Sequence, residues 1–186
     1  MAVSQTQMTV EEFLKLPEEK PALEFEDGMV SQKVSPKAKH SRLQLFLGGR
    51  LNDIAEPRKV AFAFTELRAS FGGRSYVPDV AVIRWDRVPF DEVGEFADDI
   101  VEPPDIAVEI ASPSQSVTAL VRRCVWYVEN GVRIALLVDP ADRSVVRFRP
   151  GQNPVVLTGD DVIALDGVLD DFALTVRELF DSLRIR

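Results

Sequence analysis

The sequence predicts a mixed α/β fold, a single domain over residues 1–186 with a mixed β-sheet flanked by helices. Three observations predict it. The run "DIAVEIAS", the helical pattern after it and "IALLVDP" form a strand, helix, strand crossover, which sets two strands parallel with the helix on one sheet face. Upstream, "ALEFEDG" and "MVSQKVS" flank Asp27-Gly28, a pair suited to a tight antiparallel hairpin. At 186 residues and 46% hydrophobic content the chain can bury one core of ordinary size, and no repeat, low-complexity tract or linker divides it.

The elements follow in order. Thr9 and Glu12 form a capping-box pair that opens a short helix, "VEEFLKL", stopped by Pro17. After the hairpin, Leu43, Phe46, Leu47, Leu51 and Ile54 recur at three- and four-residue spacing, predicting a helix from about Lys37 to Ile54. That spacing leaves His40, Arg42 and Arg50 nearer the opposite face. Three strand-like runs come next: "VAFAF", "ELRASF" ended by Gly72-Gly73, and "YVPDVAVIRW". The acid-rich stretch before Asp105 reads as a solvated connection. A helix from about Gln115 to Asn130 is closed by Gly131, and "IALLVDP" is apolar enough for a central strand. "VVRFR" and "PVVLTG" read as further edge strands, and Thr175 with Glu178 repeats the capping pattern before a last amphipathic helix.

Charge narrows the function. The formal charge of −8 argues against a protein that coats nucleic acid non-specifically, because such affinity comes from clustered Lys and Arg. Yet no acid occurs from Gly28 to Asn52, where Lys33, Lys37, Lys39, Arg42, Arg50 and His40 fall. Lys37, Lys39 and Arg42 are the candidates there for contact with phosphates. No apolar run approaches the roughly 18 residues of a membrane span, and the N-terminus lacks the pattern of a signal peptide. A soluble cytoplasmic protein with no membrane association is expected. The single cysteine, Cys124, lies among Val121, Val125 and Val128 and reads as a small buried apolar side chain.

The chemistry centres on two carboxylates. Asp79 follows a proline as the chain enters an apolar strand, and Glu109 stands between Val108 and Ile110 in the next strand of like character. Buried and unpaired, two such acids are costly, so they require protons, basic partners or a metal ion. A hard cation such as Mg2+ suits one or two carboxylates, a backbone carbonyl and waters better than zinc would. The pattern also admits Asp79 as a turn cap and Glu109 pointing to solvent. Ser112 and Ser114 read as caps of the following helix, and Trp85 and Trp126 as packing residues.

The ordered set "EFEDG", "SPKAKHSRL", "VPDVAVI", "PPDIAVEIASPS", "WYVENGV" and "LLVDP" resembles the bacterial Uma2-type putative restriction endonuclease family of the PD-(D/E)XK nuclease superfamily. The resemblance spans nearly the whole chain. It implies a restriction-endonuclease-like mixed β-sheet core flanked by α-helices, with the motif acids at Asp79 and Glu109 rather than at Asp105. It further implies Mg2+ or Mn2+ held by Asp79, Glu109 and the carbonyl of Ile110, DNA as substrate, and a homodimer. Glu24, His40 and Tyr127 match residues frequent in the family and are implied as accessory groups.

The chain departs from the pattern at its basic residue. Ala111 stands where the superfamily motif has lysine; the position to which that lysine migrates in the resembled family, four residues before Tyr127, is Arg123. Arginine steadies a phosphate or a water but its pKa is too high for a general base. Ala119 stands where family members often carry an acid. Three functions of different class remain: a metal-dependent DNA endonuclease using Asp79, Glu109 and Arg123; a catalytically weakened nuclease-fold protein that binds nucleic acid or a protein partner without cleavage; and a small-ligand or dimeric structural protein that keeps only the fold.

Overall fold

The structure, a computed structural model, describes residues 8–97, 100–113 and 115–185. Ser114 lies outside the described residues, as do Asp98 and Asp99 of the acid-rich stretch. Helix α1 (Val10–Phe13) carries the full capping box of Thr9 and Glu12 and ends earlier than Pro17 requires. Strands β1 (Leu23–Glu26) and β2 (Met29–Gln32) pair antiparallel around Asp27 and Gly28, both at positive φ, as a two-residue hairpin turn demands. Helix α2 (Ala38–Ala55) then crosses the molecule.

The run "YVPDVAVIRW" is two strands, and this corrects the sequence reading. Strand β3 (Ala61–Thr65) is followed by β4 (Ala69–Phe71), β5 (Arg74–Tyr76) and β6 (Val80–Arg84). The break falls at Val77-Pro78-Asp79, because proline has no N–H to continue a ladder. Strand β5 joins a four-stranded sheet of order β2-β1-β5-β4, whereas β6 joins the larger sheet. Side chains take over the backbone groups of Val77 that a ladder would have used: its N–H donates to Glu24 Oε1 at 3.1 Å, and its carbonyl accepts from Lys33 Nζ.

The larger sheet has order β10-β9-β8-β7-β6-β3, with β7 (Ile106–Ile110), β8 (Ile134–Asp139), β9 (Ser144–Phe148) and β10 (Val155–Thr158). Strands β7 and β8 are parallel, joined through α3 (Val117–Glu129), and the other pairs are antiparallel, as the crossover and the short turns predicted. Strand β9 is not the expected edge, since it pairs with β8 and β10 on its two sides. Ser116, not Ser112, caps α3, and Gly131 at φ 107 ends it. Helix α4 (Val176–Asp181) opens with the predicted Thr175–Glu178 box.

Alternation in β7 divides the core. Val108 and Ile110 pack with Leu43, Leu47 and Leu51 of α2 on one face; Ala107 and Ala111 pack with Cys124 and Tyr127 of α3 on the other. Trp126 stacks on Phe71 and Trp85 on Phe62, so both tryptophans are packing residues. At the far end of β7 the stretch expected to be solvated closes on a fully buried Asp105, which Arg87 meets at 2.9 Å and Arg133 at 3.2 Å. Among the described residues no helix is long and apolar enough to cross a membrane.

Candidate active site

The chain's change of sheet at Pro78 delivers Asp79 to the edge of β7, where it brackets Glu109. Its backbone N–H donates to the Val108 carbonyl at 2.9 Å, and its Oδ2 accepts from the Ile110 N–H at 2.6 Å. The N–H of Ala111 points the other way, to Val138 of β8. Alternation therefore turns the Ile110 N–H and carbonyl toward Asp79. Both acids are buried, each 2% exposed, which excludes the solvent-facing alternative for Glu109.

Basic and polar side chains reach these acids from separate elements. Lys33, just after β2, sets Nζ 2.7 Å from Asp79 Oδ1 and 3.4 Å from Glu66 Oε1. His40 of α2 places Nε2 3.0 Å from the same Asp79 oxygen and Nδ1 3.1 Å from Ser112 Oγ. Arg123 of α3 grips Glu24 of β1 with both Nη atoms and lies 3.5 Å from Glu109 Oε1. Tyr127 donates its hydroxyl to Glu109 Oε1 at 2.7 Å. Gln44 ties the Asp79 carbonyl to Glu66 with bonds of 2.9 and 2.8 Å.

Asp79 Oδ1 is a special atom. Lys33 and His40 lie within ion-pair distance of it, but neither is aligned as a hydrogen bond, so this buried oxygen and His40 Nε2 both lack an aligned hydrogen-bond partner among the described residues. Burial opposes ionisation of Asp79, yet His40 and Lys33 outweigh it and hold the carboxyl below the ordinary aspartate value. Glu109 goes the other way: burial, opposed by Arg123 and reinforced by the charge on Asp79, pushes it up to about 7. Burial also opposes the charge on Lys33, but Asp79 and Glu109 outweigh it and keep the ammonium protonated above its usual range. Burial and the adjoining Glu109 raise Tyr127 well above the phenol range, so it remains a donor.

Of the residues marked in sequence, Asp79, Glu109, Ile110, Arg123, Glu24, His40 and Tyr127 converge. His40 is on the buried side of α2, which corrects its expected place nearer the opposite face, and Glu24 is a buried ion-pair partner of Arg123. Ser112 contacts His40 instead of capping a helix. Lys37, Lys39 and Arg42 remain on the exposed side near the start of α2; Arg42 already donates to the Ser182 carbonyl and lies over the Phe46 ring. Sequence reasoning missed Lys33, Gln44 and Glu66. Lys33 showed only as one member of a basic stretch, because its partner lies beyond the change of sheet.

A mixed α/β core with an acid pair at one end of adjacent strands, ringed by basic side chains, defines the class: a restriction-endonuclease-like nuclease fold. The chain belongs to the Uma2 family, described as "Putative restriction endonuclease", whose family model matches residues 10–177. It is similar to a solved structure from Anabaena variabilis described as a putative nuclease belonging to DUF820. The two share 36% identity and a TM-score of 0.91 over 95% of this chain and 99% of that one. No curated protein matches the chain significantly.

Proposed function

We propose that the chain is a DNA endonuclease that hydrolyses phosphodiester bonds with a divalent cation, Mg2+ or Mn2+, held by Asp79, Glu109 and the Ile110 carbonyl. The observation that carries the reading is Asp79 Oδ1, a buried oxygen with no aligned hydrogen bond among the described residues, near a second buried carboxyl at Glu109. No three of the described His, Cys, Asp and Glu side chains group as ligands for one ion. Two carboxylates, a carbonyl and waters are nevertheless a set that Mg2+ accepts. When bound, the metal would polarise the phosphoryl oxygen and lower the pKa of an attacking water.

The chain's own residues would do the rest. Tyr127 and Arg123 orient Glu109 from one side, while the Ile110 N–H fixes the other oxygen of Asp79. Lys37 and Lys39 would contact backbone phosphates, and a homodimer would present one site to each strand of a duplex. A cytoplasmic location is expected, where DNA is accessible and Cys124 stays reduced.

A second reading has its own observation. Arg123 is spent in a two-pronged pair with Glu24, and Lys33 already faces Asp79, so the acids carry internal counter-charges. That favours a nuclease-fold protein that binds nucleic acid without cutting it. Nicking of supercoiled plasmid with Mg2+ or Mn2+ separates the two. Cleavage lost in Asp79→Ala and Glu109→Ala supports the first; DNA binding by wild type with no nicking under either metal leaves the second.

A further inference from the structure

We infer that Lys33 is a built-in counter-cation that competes with a divalent ion for Asp79, and that Glu66 receives the Lys33 ammonium when the ion displaces it. This rests on the metal-binding reading of the same site. Asp79 Oδ2 already accepts from the Ile110 N–H, whereas Oδ1 has no aligned hydrogen bond among the described residues and is the more open oxygen for an incoming ion. Lys33 Nζ is 2.7 Å from that oxygen. A lysine ammonium and a divalent ion at one carboxylate oxygen in a buried site repel each other strongly, so occupancy by one weakens binding of the other.

The displaced ammonium needs an anion within reach, and one is provided. Glu66 Oε1 is already 3.4 Å from Nζ, and the Glu66 side chain is 42% exposed. Its backbone adopts φ 56, a left-handed conformation uncommon for glutamate, with its N–H directed to the Asp79 carbonyl at 3.4 Å. Gln44 bonds both the Asp79 carbonyl and Glu66 Oε1 and so keeps the two acids in fixed relation. Lys33, Gln44 and Glu66 also line one groove of 1210 Å³ whose walls include Phe64 and Leu67, which gives the ammonium space to turn. The lysine stem is flexible and its head is a compact point charge with three donors, so Nζ can keep its bond to the Val77 carbonyl while it turns from Asp79 toward Glu66.

The test is Mn2+ affinity, read from the electron paramagnetic resonance of free ion over metal-free wild type, Lys33→Met, Glu66→Gln and the double variant. Lys33→Met should bind Mn2+ tighter by roughly tenfold or more, because it removes a buried positive charge 2.7 Å from the oxygen the ion would take. Glu66→Gln alone should weaken binding several-fold, about the effect of losing one partly exposed charge partner. In the Lys33→Met background Glu66→Gln should change little, because no ammonium remains to be received. Equal binding by wild type and Lys33→Met overturns the inference while leaving the metal site standing. Absence of binding in every variant overturns both. If Lys33→Met fails to fold, Glu66→Gln decides alone: unchanged or tighter binding overturns the inference.

Discussion

Arg123 and Glu24 form a two-pronged ion pair that ties α3 to the small sheet, with Nη1 3.0 Å from Oε1 and Nη2 2.7 Å from Oε2. The guanidinium also lies over the Tyr76 ring at 4.2 Å. Glu24 is buried at 4% exposure, and its Oε1 accepts the Val77 N–H as well. Arg123 is therefore first a clamp that holds the change of sheet before Asp79, and its approach to Glu109 follows from that.

Arg123→Met should destabilise the fold by about 3–5 kcal/mol, because it leaves a buried carboxylate without its partner. Arg123→Lys should cost about 1–2 kcal/mol, since an ammonium cannot reproduce the planar fork. Adding Glu24→Gln to Arg123→Met should restore part of the loss. Urea unfolding of wild type, Arg123→Met, Glu24→Gln and the double variant measures this coupling, and strict additivity would contradict the clamp.

Glu109 sets a pH dependence in the metal-free protein. Its carboxyl is raised from 4.5 to about 7 on folding, so between those values the folded state binds more protons than the unfolded chain. Stability contributed by this group is present below about pH 4.5 and lost as pH rises toward 7. Asp79 has the opposite sign: lowered on folding, it contributes stability above its ordinary value that is lost in stronger acid. Thermal melting in chelator should show wild type losing stability from pH 5 to 7 relative to Glu109→Gln. Parallel profiles for the two proteins would show that Glu109 ionises normally.

Cys124 should resist alkylation. Burial, with the Glu109 charge behind it, pushes the thiol well above its usual range, and only the thiolate reacts. Native protein treated with iodoacetamide at pH 8 should stay unmodified by mass spectrometry and react fully in denaturant. Rapid modification of the native protein would contradict the burial of α3 against β7 and β8.

Lys37→Ala and Lys39→Ala should weaken DNA binding to a similar degree for any sequence, and each should reduce the salt dependence by about one counterion. Arg42→Ala should change binding less, since its guanidinium is already engaged with Ser182 and Phe46. Fluorescence anisotropy at several salt concentrations checks both, and an unchanged slope for Lys37→Ala and Lys39→Ala would remove this face from the DNA contact.

Periodicity and turn chemistry are local properties, and what depended on them was legible in the sequence. The hairpin at Asp27-Gly28, the α2 and α3 helices, both capping boxes and the parallel β7–β8 crossover all followed from spacing within short windows. So did Asp79 and Glu109 as acids in adjacent apolar strands. The second sheet was not legible, because Pro78 marks an interruption without saying that the chain resumes in another sheet. Nor was the buried place of His40, since an apolar stripe cannot show that a polar residue beside it faces a carboxylate. The companions of the two acids were decided only in three dimensions: Lys33 from the hairpin, Arg123 from α3, and Glu24 and Glu66 from different strands or their ends. A buried charge must find its counter-charge in space, and only packing settles which one it meets.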